Sequence, residues 1–244
     1  MIGIISYVLL YTLMHMFLLV RWFRWRVAGL ERLPPRRAGG MVIVMNHVHW
    51  VDIPVVGTLL PLAYRLSWLA KSELFRNPFA AWWFRQMNVI PIKRGSGDAA
   101  ALDAAVQALR DGAVLLIFPE GHRSRDGVLL PGRGGAVRLA MRAGVPIVPV
   151  AIVGSEHGLR GTLRRTPVLM QIGEPYTVAP LPGESIPPEQ MEALTTDMMC
   201  RIAAMLPAER RGPYGSGCRN VSSLVIERSA TQPAASSATT RHQT

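Results

Sequence analysis

Apolar residues fall along the chain in two kinds of pattern: short unbroken runs, and longer segments in which they recur every three or four positions. The unbroken runs are Met41–Met45, residues 66–70, Val89–Ile92, residues 114–118 and Ile147–Val153. Runs of this length without polar alternation predict strands covered on both faces. Between them, residues 98–111 predict a helix: Leu102, Val106 and Leu109 share one face, Asp98 is placed to cap the start and Gly112 to end it. Residues 77–86 and 134–142 read as helices too, with Gly144 stopping the second. A strand over Val168–Ile172 and a helix over residues 189–206 close the pattern. Strands alternating with helices predict an α/β fold, with a mixed, largely parallel sheet flanked by helices.

The first twenty residues differ from everything after them. They hold no formally charged side chain, and as a helix they would extend about 30 Å, the thickness of a bilayer core. Arg21-Trp22-Phe23-Arg24-Trp25-Arg26 follows at once and mixes indoles with cations, the composition of a membrane boundary whose basic side faces the cytoplasm. No basic stretch precedes the run and no small-residue cleavage site follows it, which argues against a signal peptide. His15 is an awkward resident of a bilayer centre, so a buried core helix stands as the alternative to an anchor; an anchor would either span the membrane or lie in one leaflet, where His15 is better tolerated. Residues 1–26 are therefore expected to be a membrane-anchoring helix and its interface segment. Residues 27–211 are expected to be one domain on the cytoplasmic side. From residue 212 to 244, Gly, Ser, Ala, Thr and Arg dominate, and a disordered tail is expected, interrupted only by the short apolar stretch 221–226.

Charge narrows the partners. Lys and Arg number 27 against 16 Asp and Glu, a formal net charge of +11. Such a balance suits anionic lipid, nucleic acid or a phosphate-bearing substrate. Nucleic acid is set aside, because no zinc-finger spacing, RNA-binding aromatic signature or helix-turn-helix pattern accompanies the charge. Cys200 and Cys218 lie without metal-ligand spacing and are expected to be free thiols of a reducing compartment.

The chemistry concentrates after two of the apolar runs. Asn46-His47-Val48-His49-Trp50-Val51-Asp52 follows the first, and Phe118-Pro119-Glu120-Gly121-His122-Arg123-Ser124 ends another. Strand ends of this kind are where open α/β sheets build their sites. A neutral imidazole can take a proton from a hydroxyl, and a carboxylate on its other ring nitrogen fixes the tautomer and stabilises the imidazolium that forms. A zinc site built on His47 and His49 would need three or four ligands, and no third has convincing spacing, so no metal is expected. Asn46 either caps a following helix or holds the loop. Arg123 offers a planar fork of donors suited to phosphate, and Gly121 lets the backbone come close to a ligand.

Together these segments resemble the glycerophospholipid acyltransferase family, whose signatures are N-H-x4-D and F-P-E-G-x-R-S. The resemblance covers roughly residues 27–175 and begins with Val27-Ala28-Gly29-Leu30-Glu31-Arg32-Leu33-Pro34. It implies that His47 is the general base for the acceptor hydroxyl, that Asp52 orients it, and that Arg123 binds the acceptor phosphate. Glu120 would accept a hydrogen bond from a glycerol hydroxyl, hold Arg123, or form a purely structural ion pair with it. Asn88-Val89-Ile90-Pro91-Ile92-Lys93-Arg94 is similar to a G-x5-R block with Asn88 in the glycine place, which makes Arg94 a second phosphate ligand. Lys71-Ser72-Glu73-Leu74 is similar to a K-x-E-L segment, leaving Lys71 either near the phosphate or on the surface. His49 stands where serine is frequent and His122 where threonine is; the family register selects His47 over His49 as the base. Trp68, Trp82, Trp83 and Phe84 belong either to a membrane-facing rim or to the core.

The implied reaction moves a fatty acyl group from acyl-CoA or acyl-carrier protein onto 1-acylglycerol 3-phosphate, giving phosphatidic acid without a bound cofactor. Three rivals stand beside it. An acyltransferase could serve another acceptor, such as a lysophospholipid or lyso-aminolipid. A membrane-tethered binding module is opposed by the intact His47, Asp52, Glu120 and Arg123. A zinc hydrolase fails on ligand count.

Overall fold

The computed structural model describes residues 2–86, 89–92, 99–179, 186–216, 218 and 225–226. The chain opens with α1 (Ile2–Leu19), followed by β1 (Trp25–Ala28), β2 (Met41–Met45), α2 (Asp52–Leu59) and β3 (Leu66–Lys71). Next come α3 (Pro78–Gln86), β4 (Val89–Ile92), α4 (Ala99–Arg110), β5 (Val114–Ile117), α5 (Gly135–Ala143) and β6 (Ile147–Val153). The remaining elements are α6 (Gly158–Leu163), β7 (Val168–Ile172), β8 (Thr177–Val178), α7 (Pro188–Ala204) and β9 (Val225–Ile226).

Seven strands form one sheet in the order β1-β7-β6-β2-β5-β3-β4. All neighbours are parallel except β6 and β7, so the sheet is mixed and mostly parallel. Every residue of β2, in the middle, is buried. Because successive side chains of a strand point to opposite faces, Val42 and Val44 join a cluster with Leu109, Val137, Met198 and Ile202 of α4, α5 and α7. Met41, Ile43 and Met45 join another on the opposite face, with Val55 and Val56 of α2. Both faces are thus covered, as the unbroken apolar runs require. Each such side chain withdrawn from water contributes about 1.5–3 kcal/mol. The register that pairs Val44 with both Ile117 and Pro149 brings the carboxyl ends of β6, β2 and β5 side by side, and the loops after them meet.

The N-terminal region departs from expectation. Trp25 pairs with Val168 in the edge strand β1, so a boundary after residue 26 would cut through a strand. Trp25 is 7% exposed and stacks on Phe23 at 4.2 Å, which puts its indole in the core rather than at a membrane interface. A four-residue strand whose outward positions carry Arg26 and Ala28 has too little apolar content to be seen as a run. The spanning form of the N-terminal anchor is likewise without support: no helix among the described residues is long and apolar enough to cross a membrane. Tyr7, Tyr11, Thr12 and His15 interrupt the apolar surface of α1, and the helix leans on α2 and α3. Its Tyr7 hydroxyl donates to the Gly57 carbonyl at 3.4 Å, with the Arg65 guanidinium 5.1 Å from the Tyr7 ring. Leu9, Leu13, Met16 and Leu19 stay exposed.

Cys200 and Cys218 form a disulfide rather than standing as free thiols, because the chain doubles back after α7. Packing continues past residue 211: the Tyr214 hydroxyl accepts the Gly132 N–H at 2.9 Å, and β9 pairs antiparallel with β8. The rest of the expected tail, and the expected cap Asp98, lie outside the described residues.

Candidate active site

Asn46 follows directly after β2, and its side chain makes a pair of hydrogen bonds like a rung of the sheet. Its amide donates to the Ile152 carbonyl at 3.0 Å and its carbonyl accepts the Ile152 N–H at 2.8 Å. Asn46 therefore holds the loop to β6 and does not cap α2. The chain then turns so that Asp52, the first residue of α2, is fully buried beneath the loop. Its Oδ2 accepts the N–H groups of Val48 at 2.8 Å and His49 at 2.9 Å, and lies 2.8 Å from Nδ1 of His47. An ionised carboxylate only accepts, so Nδ1 carries the proton and Nε2 of His47 is left free to take one. The His47 ring is also stacked on Phe118, 3.8 Å between centroids. Two contacts thus fix its orientation, and its side chain is 14% exposed.

The second motif grips the first from the end of β5. Glu120 is 2% exposed; its Oε1 accepts the backbone N–H of His47 at 2.6 Å and its Oε2 that of Leu130 at 2.9 Å. The Ser124 N–H donates to the His47 carbonyl at 2.8 Å, so both backbone polar groups of His47 are held by this loop. Burial pushes the Glu120 carboxyl above its usual range, and the two amides and the nearby His47 and His122 partly offset that rise. In the fold it ties the backbone of His47 to the loop that carries Leu130. Each oxygen accepts one backbone N–H, and among the described residues no ion pair links Glu120 to Arg123, so the expected structural ion pair between the two is not formed. Gly121 has φ of 78°, and a Cβ there would stand 3.1 Å from Nε of Arg133, so the tight turn at this position calls for glycine.

Two cavities meet at this loop. The larger, about 780 Å³, is mainly apolar: Tyr7, Leu10, Tyr11 and Met14 of α1 line it with Ile53 and Pro54 of α2, Trp68, Trp83, Phe84 and Leu116, and His47, His122 and Arg123 open onto it. The smaller, about 580 Å³, is polar and is lined by Val48, His49, His122, Arg123, Arg125 and Glu156. His122 and Arg123 belong to both. The His49 ring faces the polar cavity and packs where a Cβ on Gly158 would fall 2.6 Å from it. Lys71 ends β3, and Arg94 lies outside the described residues. Trp68, Trp83 and Phe84 line the apolar cavity, and Trp82 and Trp83 are each 39% exposed.

The structure thus brings His47, Asp52, Glu120, Gly121 and Arg123 together. Sequence reasoning missed the stacking of Phe118, the α1 side chains in the cavity wall, and Arg125 and Glu156. Convergence of the loops after β2, β5 and β6 could have pointed to the last two; nothing in the sequence pointed to α1 as a wall.

A family model described as Acyltransferase matches residues 24–153, more than half of the 244 in the chain. The chain belongs to the acyltransferase family. The match runs from β1 through the end of β6 and so includes both motifs. Among acyltransferases of known name, the chain is 32% identical over 160 residues to the chloroplastic 1-acyl-sn-glycerol-3-phosphate acyltransferase BAT2 of Brassica napus, covering 63% of this chain and 45% of that protein. It is 36% identical over 147 residues to the lyso-ornithine lipid O-acyltransferase of Pseudomonas aeruginosa, covering 58% of this chain and 55% of that one. The chain therefore spans about half the length of these two acyltransferases. The crystal structure of the 1-acyl-sn-glycerophosphate (LPA) acyltransferase PlsC from Thermotoga maritima superposes with a TM-score of 0.54 at 30% identity, covering 71% of this chain and 68% of that one.

Proposed function

We propose that this acyltransferase esterifies 1-acylglycerol 3-phosphate, using acyl-CoA or acyl-carrier protein as donor and giving phosphatidic acid. The observation that carries the reading is the His47–Asp52 pair opening, beside Arg123, onto an apolar cavity of about 780 Å³. Nε2 of His47 takes the proton of the acceptor hydroxyl as its oxygen attacks the thioester carbonyl. The imidazolium, stabilised by Asp52, then gives that proton to the departing thiolate. The acyl group ends on the acceptor, so no covalent enzyme intermediate and no cofactor is needed. A positioned base contributes about 10²- to 10⁴-fold, and the remainder comes from alignment of donor and acceptor. The fork of Arg123 holds the acceptor phosphate, with Arg94 and Lys71 as further cations on the strength of their motifs.

The acceptor and product are lipids, and the exposed apolar side chains of α1 continue into Phe79, Trp82 and Trp83 of α3. This face lies in the outer part of one cytoplasmic leaflet, with Arg21, Arg24 and Arg26 beside anionic head groups, each cation adding about 1 kcal/mol. A second reading, an amino-acid-headed lysolipid as acceptor, is favoured by the similarity to the lyso-ornithine lipid enzyme. Incubating the purified full chain with labelled acyl-CoA and a panel of lysolipids tests both. Lysophosphatidic acid should be the preferred acceptor, with turnover lost in His47→Ala; preference for lyso-ornithine lipid would replace the first reading with the second.

A further inference from the structure

A carboxylate sits in the wall of the polar cavity. Glu156, after β6, faces the same space as His49 after β2 and Arg123 and Arg125 after β5. An uncompensated negative charge at that place would repel an anionic ligand drawn by the two arginines. The charge is compensated from outside the motif region. Arg210, in a turn after α7, brings Nη2 to 2.6 Å from Oε1 of Glu156, and the other Glu156 oxygen accepts the Gly154 N–H at 2.8 Å. The pair is mostly buried, with side-chain exposures of 24% for Arg210 and 18% for Glu156. Arg210 is itself tied to the loop carrying Arg125, because its carbonyl accepts the Leu129 N–H at 2.9 Å. With Glu156 and Arg210 cancelling, Arg123 and Arg125 leave the cavity with two net positive charges. A phosphomonoester carries about −1.5 to −2 at neutral pH, which matches.

We infer that Arg125 shares the phosphomonoester head of the acceptor with Arg123 in the polar cavity, and that Arg210 is a positioning residue which keeps this cavity attractive to a dianion by neutralising Glu156. This rests on the proposed acyl transfer and extends it to three residues outside the motifs.

The test compares the full-length wild type with Arg210→Ala, Glu156→Gln, the double variant and Arg125→Ala. Glycerol 3-phosphate binding is measured by calorimetry, and the KM values of acceptor and donor by steady-state kinetics. Arg210→Ala, which leaves Glu156 unpaired, should weaken glycerol 3-phosphate binding about ten-fold and raise the acceptor KM to match, with far less effect on the donor KM. Arg125→Ala should behave alike. Glu156→Gln should bind no more weakly than wild type, and the double variant should recover to within about two-fold of it. A double variant as weak as Arg210→Ala would show that Arg210 serves only the Leu129 loop and would overturn the inference. A rise confined to the donor KM would do the same by assigning the cavity to the phosphates of CoA. Should Arg210→Ala fail to fold, Glu156→Gln decides: a ten-fold weaker glycerol 3-phosphate complex overturns the inference, and unchanged or tighter binding supports it. Wild-type protein that shows this binding pattern but transfers no acyl group would overturn the proposed reaction and leave the cavity assignment standing.

Discussion

Asp52 turns one oxygen towards three donors, while its Oδ1 is buried without a hydrogen-bond partner among the described residues. In Asp52→Asn the single carbonyl oxygen can keep all three contacts, which forces an NH2 group into the place of Oδ1. The charge that stabilises the imidazolium is gone, so kcat should fall about 10²- to 10⁴-fold. The buried, unpartnered NH2 should cost about 1–3 kcal/mol of stability. Steady-state kinetics and denaturant unfolding of the same preparation check both effects; a stable variant with wild-type turnover would remove the pair from the mechanism. Two other carboxylates should respond to acid in opposite senses. Burial, only partly offset by the amides of His47 and Leu130, holds Glu120 above its ordinary 4.5, so just above that pH the folded chain keeps a proton the unfolded chain has lost. Its contribution to stability therefore declines as pH rises through that interval. For Glu156, burial pushes upward, but the hydrogen bond and charge of Arg210 and the neighbouring amides outweigh it and hold the carboxyl below its ordinary value. Its contribution is complete above that value and is lost as pH falls below it. Thermal melts over the acid range should show Glu120→Gln removing a decline and Glu156→Gln flattening a loss; shifts of the same sign would contradict these environments. The motifs made Glu120 visible as a residue of the site, but a sequence does not show which atoms a side chain faces. Its engagement with backbone amides therefore emerges only from the fold.

At the level of elements, the central strands were legible because burial on both faces leaves an unbroken apolar run, as in Met41–Met45 and Ile147–Val153. The edge strand β1 was not, since half of its surface faces water and its four residues alternate with arginine and alanine. That difference separates two truncations. Removal of residues 1–20 spares β1 and should leave a folded domain. Removal of residues 1–26 takes Trp25 out of the core and half of a strand from the side of β7, and should cost at least the 3–5 kcal/mol typical of losing a buried large aromatic. Urea unfolding of the two proteins measures the gap; equal midpoints would mean that β1 contributes nothing to the sheet. The shorter truncation also strips Tyr7, Leu10, Tyr11 and Met14 from the cavity wall. It should therefore blur discrimination between acyl donors of different chain length, read as a flattening of relative kcat/KM across a donor series.

Over the whole molecule, the helix α1 joins an exposed apolar face to the larger cavity beside the motif loops. The excess of cations and the motif loops were plain in the sequence; that α1 is at once an exposed apolar face and a wall of the reaction cavity was not, because composition alone cannot distinguish a helix that holds the protein to lipid from one that shapes its interior. The double use of α1 has a kinetic consequence. If a lipid tail passes from the leaflet along α1 into the cavity, the enzyme samples its acceptor in two dimensions and senses crowding within the sheet of lipid, not the amount in the tube. Diluting lysophosphatidic acid with inert phospholipid, at constant total acceptor, should then slow turnover in proportion to its surface mole fraction. Removing residues 1–20 should make the rate follow bulk concentration instead, so that the helix sets whether the catalyst counts molecules per area or per volume.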